Sequence, residues 1–301
     1  MQGGGKMHFT EAKTILTPQN GLNIYRGGPN IRCIYSPLRN TSSHVDDFED
    51  VEVKENADSL LATALKKKRN KTMIIMGTLA DPYVPEEMKL ELTRKCLFEI
   101  KRYDFGVSIR TKSASIKRDI DIISEINEKT KAVVTIPFPT TDNRISGLID
   151  PDMSAVSERT LLIEELSQRK IPVIVALDPI IPHINDTEES VLSVLNIAAG
   201  FGAFAIEYGD LKFTLSPGSR EYFYKCIEER FPEVKPKYKD GFNKAMNVKT
   251  EEVASSNRKY LIQEIEEFCE KRSLISDQDM IRDYKRKYEN KQSGEQLFFD
   301  F

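Results

Sequence analysis

The chain has 301 residues, 40% of them hydrophobic and 30% charged, an ordinary balance for a globular protein able to bury about 75% of its unfolded surface. Lys plus Arg number 44 and Asp plus Glu 47, a net charge of −3. That excludes a globally basic nucleic-acid binder and leaves local basic patches open. Four cysteines, Cys33, Cys96, Cys226 and Cys269, lie too far apart for a CxxC metal motif or a dense disulfide framework. The Gly-rich start, Met1 to Lys6, lacks the apolar core of a signal peptide. The strongest apolar run, Ile171 to Leu177, is too short to cross a bilayer. The expectation is a cytoplasmic protein with reduced thiols and no membrane partner.

In chain order, Leu22–Tyr25 reads as a first strand, followed by a long loop from Arg26 to about Glu55 with a short extended piece at its end. A helix is expected from about Ala57 to Lys68. Short runs rich in Val and Ile then recur roughly every 30 residues, the length of a βαβ unit. They are Met73–Met76, Phe105–Ile109, Ala132–Ile136, Ile171–Leu177 and Gly202–Ile206. Such runs read as buried parallel strands. Between them lie helical patterns, such as Leu92, Cys96, Leu97 and Ile100, or Ile116, Ile120, Ile123 and Ile126. A barrel and a doubly wound sheet both satisfy this alternation. After Glu207 the pattern turns helical, with Ser219–Arg230, Glu251–Arg272 and Ser276–Glu289 as expected helices. The expected organisation is an N-terminal extension over 1–20, a barrel over 21–215 and a helical region over 216–301 packed on it.

In α/β barrels the chemistry sits where strands end. The segments there include Asn23-Ile24-Tyr25-Arg26-Gly27, Cys33-Ile34-Tyr35, Asp81-Pro82-Tyr83, Thr111-Lys112-Ser113, Arg118-Asp119-Ile120-Asp121, Pro179-Ile180-Ile181-Pro182 and Ile184-Asn185-Asp186. In order and spacing, over roughly residues 8 to 230, they resemble the spore photoproduct lyase-like branch of the radical S-adenosylmethionine (SAM) family. The resemblance implies an α/β fold, a partial (β/α)6 TIM-like barrel with a helical C-terminal extension. It implies SAM at the barrel mouth, a [4Fe–4S] cluster, an electron donor for an active enzyme, and a lyase or nucleic-acid repair type of reaction. It places Asp81 at the methionine amino group, Lys112 at the carboxylate, and Ser113 and Arg159 in the same cofactor site. The residues alone also allow Asp81 to be an Asp-Pro turn, Lys112 a solvated lysine and Arg159 a helix-surface ion pair.

At one place the resemblance is broken. The family's first loop carries CxxxCxxC, whose soft thiolates hold the cluster. Here Cys33 matches the middle cysteine and is the one metal-ligand candidate. Pro29 and Ser36 occupy the other two places, and the loop runs one residue longer. Proline offers no ligand, and a serine hydroxyl is a hard, high-pKa substitute. Cys96, Cys226 and Cys269 are expected as buried apolar residues on helices.

Two readings remain: a radical SAM-like enzyme resembling spore photoproduct lyase, or a cluster-less barrel that binds SAM, a nucleotide or a partner, including an altered family member. Nucleic acid is a weaker candidate partner, through Lys235, Lys237, Lys239 and Lys244 with Tyr238 and Phe242 interleaved. The run Lys66-Lys67-Lys68-Arg69 reads as the basic last turn of a helix. His183 is expected to be an exposed loop residue.

Overall fold

The computed structural model describes residues 7–27, 33–35, 51–215, 217–238 and 251–291. Its centre is a six-stranded sheet formed by β2 (Gly21–Leu22), β5 (Met73–Met76), β6 (Gly106–Arg110), β7 (Ala132–Pro137), β8 (Val173–Ala176) and β9 (Ala205–Glu207), paired in that order. Every pairing is parallel, for example Ile74 with Val107 and Ile136 with Val175. The crossovers are helical: α1 (Ala57–Lys67), α2 (Glu87–Leu90) with α3 (Leu92–Arg102), α4 (Ile120–Lys129), α5 (Asn143–Ile149) with α6 (Val156–Gln168), and α7 (Glu188–Gly200). The expected α/β architecture with six parallel strands is what the structure has. Among the described residues β2 and β9 stand at the two ends of this order.

The Val- and Ile-rich runs form strands because both faces of each are covered. Ile74, Met76, Val107, Ile109, Val134, Ile136, Val173 and Val175 turn outward into one core with Leu61, Leu65, Leu97, Ile100, Ile123 and Leu166 of the helices. Full burial of each such side chain is worth about 1.5–3 kcal/mol. Met73, Val133, Ile174 and Ala205 form a second cluster on the inner face with Ile281. Ile281 belongs to α10 (Gln278–Arg286), which lies against that face. It follows α9 (Arg258–Lys271), whose Leu261, Ile265 and Cys269 join the outer core.

The sequence expectations need three adjustments. Leu22–Tyr25 is not one strand but β2 followed by β3 (Tyr25–Gly27). Ahead of it, β1 (Met7–Thr10) pairs in parallel with β4 (Val51–Lys54), which also pairs antiparallel with β3. Glu251–Arg272 is not helical throughout. Its first residues, Glu251–Ala254, form β11, antiparallel to β10 (Lys212–Leu215). The last helix spans Gln278–Arg286 rather than Ser276–Glu289. The expected helix at Ser219–Arg230 is α8 (Pro217–Arg230). Its Phe223, Cys226 and Ile227 form a further apolar cluster with Ile34, Ile149, Leu215 and Val253. No helix among the described residues is long and apolar enough to cross a membrane.

Candidate functional site

The strand C-termini and the loops after them form the mouth. Gly77 ends β5 at φ +84°, and a Cβ there would lie 1.9 Å from the Arg110 carbonyl oxygen. Only glycine lets β5 turn so close to the end of β6. Four residues on, Asp81 crosses the same gap. Its carboxylate accepts from Thr111 Oγ1 at 2.7 Å, the Lys112 backbone N–H at 2.9 Å and the Tyr83 N–H at 2.9 Å. Burial raises the Asp81 carboxyl above its usual range, and these donors oppose that rise. Asp81 thus closes an Asp-Pro turn and also joins the loops after β5 and β6.

Lys112 sends its ammonium to Asp150, whose side chain is 0% exposed. Burial would lower the Lys112 pKa, but the charge and hydrogen bond of Asp150, with the Asp81 charge, prevail and hold it above its ordinary value. Tyr35 donates to the same Asp150 carboxylate at 3.2 Å. The two backbone strands of this corner are stitched by Ile34 N–H to the Ile149 carbonyl at 3.0 Å and Ser154 N–H to the Lys112 carbonyl at 3.1 Å. Cys33 sits in this corner, 2% exposed. Burial and the Asp150 charge push its thiol up, against the pull of Lys112 and Tyr35. It is therefore a protonated thiol at neutral pH, not a ready thiolate.

Asp81 and Lys112, the two groups that the resemblance assigns to the methionine amino group and carboxylate, lie side by side, with Asp150 as the ammonium's partner. Ser113 lies next to them. Its N–H donates to Thr111 Oγ1 at 3.0 Å, and its Oγ caps the 3-10 turn Ala114–Asp119 by accepting from Ser115 N–H at 3.3 Å. Arg159 is neither on a helix surface nor ion-paired there. It is 0% exposed and donates to the Ser154 carbonyl at 2.9 Å, the Pro137 carbonyl at 2.9 Å and Ser146 Oγ at 3.1 Å. Its guanidinium lies 4.2 Å from the Phe138 ring centroid, and burial lowers its pKa to about 10. It braces the end of β7 from behind the mouth.

Solvent reaches a different set of charges. Arg110 donates to Asp178 at 2.5 Å and to Glu207 at 3.2 Å, and Glu207 also accepts from Lys285 at 2.5 Å. Their side chains are 28%, 51% and 26% exposed for Arg110, Asp178 and Glu207. Sequence reasoning assigns no role to Arg110, Asp150, Asp178 or Glu207. The alternation along β6 would have turned Arg110 inward with Ser108. No local signal links Asp150 to Lys112.

A second ionic cluster lies behind β3. Glu87, 0% exposed, accepts from the Tyr25 hydroxyl, from Thr93 N–H at 2.9 Å and from Arg118 at 2.5 Å. Arg118 and Arg94 both bond Asp119, at 2.9 and 2.7 Å. These bonds fix the root of the first loop to α2, α3 and the start of α4.

Pro29 and Ser36 lie outside the described residues. Among the described residues no group of three His, Cys, Asp or Glu side chains could hold a metal ion. The loop from Tyr25 to Ser36 contains one thiol, Cys33. This donor set does not fit a three-cysteine [4Fe–4S] cluster. Cys96, Cys226 and Cys269 are buried in helices, as expected. Of the candidate nucleic-acid contacts, Lys239, Phe242 and Lys244 lie outside the described residues. Tyr238 is buried, and its hydroxyl donates to the Pro182 carbonyl at 2.7 Å, so its ring is not free to stack on a base. His183 is exposed, as expected, edge-on to Tyr238.

No family model matches the chain. Uncharacterized proteins of Mycobacterium tuberculosis and Mycobacterium bovis are 24% identical over 226 residues, 73% of this chain. The chain spans 66% of the length of those relatives. Among solved structures, a spore photoproduct lyase complexed with dinucleoside spore photoproduct superimposes with a TM-score of 0.65 at 14% identity, covering 90% of this chain and 80% of that one. A doubly substituted form of the lyase with bound AdoMet and dinucleoside spore photoproduct gives a TM-score of 0.57 at 12% identity, covering 81% and 72%. This chain has the fold of spore photoproduct lyase.

Proposed function

We propose that the chain is a radical SAM-like barrel that binds SAM at its mouth without a three-cysteine [4Fe–4S] cluster, and so without radical chemistry. The carrying observation is the set of groups at the strand ends. A guanidinium, Arg110, stands between two carboxylates, Asp178 and Glu207, all reached by solvent. One buried thiol, Cys33, stands where the cluster would need three.

A zwitterion needs both signs of charge within one amino-acid length. In the free chain Arg110 pairs with Asp178 and Glu207; a bound zwitterion would exchange these solvent-reached contacts, its carboxylate meeting the Arg110 fork and its ammonium the two carboxylates. Lys112 is 11% exposed and committed to Asp150, which supports a role in holding the mouth rather than meeting the ligand. AdoMet in a lyase of the same fold supports the choice of ligand.

The test is titration calorimetry with SAM on the purified chain, beside anaerobic incubation with iron and sulfide followed by iron quantification. The expected results are a micromolar dissociation constant and no stoichiometric iron. Arg110→Met should weaken SAM about tenfold, the value of one charge-assisted hydrogen bond. A full four-iron complement with SAM cleavage on reduction would overturn the cluster-less reading. Absence of SAM binding at millimolar ligand would overturn the binding assignment.

A further inference from the structure

The parallel sheet also gathers charge at its other end. α1, α3, α4 and α6 each end only a few residues before the strand that follows, at Met73, Gly106, Ala132 and Val173. Those strands run in one direction. All four helix C-termini therefore lie at the base of the sheet, opposite the mouth. The chain places cations at these ends. Lys66, Lys67 and Arg69 close α1, Arg102 closes α3, and Arg169 and Lys170 follow α6. One helix with a basic last turn complements its own dipole. Several such ends on one face make a surface.

The ends are contiguous. Lys71 Nζ, after α1, donates to the Tyr103 carbonyl after α3 at 2.7 Å. Lys129 of α4 stands 4.0 Å from Asp104 after α3. Asn127 of α4 donates to the Lys170 carbonyl after α6 at 2.9 Å. Lys66, Lys67, Arg69, Arg169 and Lys170 are exposed and have no ion pair among the described residues. Arg102 is 67% exposed, 3.6 Å from Glu99 and over the Tyr103 ring at 5.4 Å from its centroid. The net charge of −3 thus conceals a basic rim.

Neighbouring helices sit roughly 8–10 Å apart, so four ends span roughly 25–30 Å. A nucleic-acid duplex offers one phosphate charge per about 1.7 Å of axis, and a cationic rim of that length matches an extended polyanion rather than a single phosphate. None of the large exposed apolar side chains, such as Leu79, Phe98 or Leu161, belongs to these helix ends. A membrane-binding face would carry such wedges. We propose that the base of the barrel is a sequence-independent contact surface for the phosphate backbone of nucleic acid, separate from the mouth.

The test is fluorescence anisotropy of a labelled DNA duplex with the full chain over a salt series. Two charge reversals are compared, Lys66→Glu/Lys67→Glu/Arg69→Glu and Arg169→Glu/Lys170→Glu, with circular dichroism confirming the fold. Each should weaken binding about tenfold or more at low salt and lower the slope of log K against log salt by about 0.9 per lost contact. The arginine-for-lysine versions should keep both quantities. Failure of the parent chain to bind duplex, an unchanged salt slope in both reversals, or loss of binding to phosphatidylserine vesicles with duplex affinity intact would overturn the proposal. SAM affinity, measured in parallel, reports on the mouth alone.

Discussion

Two lysines are buried at opposite ends of the same sheet, and burial treats them differently. Lys112 at the mouth faces Asp150, which is itself 0% exposed, and its pKa is held above the ordinary value. Lys131, just before β7 at the base, is 1% exposed. It meets Glu289, the Lys287 carbonyl at 3.3 Å and the Tyr284 ring at 3.5 Å from its centroid. There burial outweighs the Glu289 charge and the pKa falls. The difference lies in the charges around each ammonium. Asp150, 0% exposed, and Asp81 hold Lys112 charged, whereas Glu289 is 18% exposed and Lys291 and Lys287 add to the lowering of Lys131. A buried charge is held firmly only by a counter-charge that is equally confined.

The strongest way to break that comparison is to remove each carboxylate. Asp150→Ala should cost about 3–5 kcal/mol in urea unfolding, because it strands a buried ammonium. Glu289→Ala should cost less, about 1–3 kcal/mol, because Lys131 keeps the Lys287 carbonyl and the Tyr284 ring and its lowered pKa lets it shed its proton more easily. Adding Lys112→Met to Asp150→Ala should recover most of the loss, and equal losses at the two ends would end the argument. Next in size, Arg159→Met should cost about 3 kcal/mol by leaving two carbonyls and a hydroxyl without their donor. A loss near zero in the same assay would mean that the guanidinium does not brace β7. Gly77→Ala should cost about 1–3 kcal/mol from its left-handed backbone and the collision with the Arg110 carbonyl. It should also weaken SAM binding, since Arg110 would shift; unchanged affinity would separate the turn from the mouth.

The smallest effect is on pH. Burial pushes the Cys269 thiol up to about 12, and raises Cys33 and Cys96 as well. A group with a raised folded pKa gives its full stability below the unfolded value. It loses that stability as pH climbs from about 9 toward the folded pKa, because only the unfolded chain then releases the proton. The urea midpoint should therefore fall between about pH 8 and pH 10, and Cys269→Ala should flatten that fall. A midpoint that rises over this range would reverse the assignment.

The parallel strands were legible because each is a short run of β-branched residues covered on both faces. Ala132–Pro137, for instance, is buried at every position. β11 was not, because Glu251–Ala254 continues a charged, helix-like pattern. Its strand character comes from β10, distant in sequence. The same distance hid the site. Asp81 and Lys112 stood out by resemblance, but the Asp150 that claims the ammonium lies after α5, and Arg110 meets Glu207 from across the barrel. The basic run at Lys66 was visible and was read as one helix end. Its neighbours were invisible until the strands were placed in order.

β4 pairs with β1 on one side and β3 on the other, and Gly27 stands directly opposite Val51. The chain therefore leaves the sheet for its first loop and re-enters it at the adjacent rung. Closing a loop between fixed neighbours costs free energy that changes only slowly with length, and the register here is set by the residues of β3 and β4 themselves. A loop framed in this way tolerates changes in length and in side chains while the strands on either side keep their pairing. What such a loop contacts can therefore change while the strands that frame it stay in place.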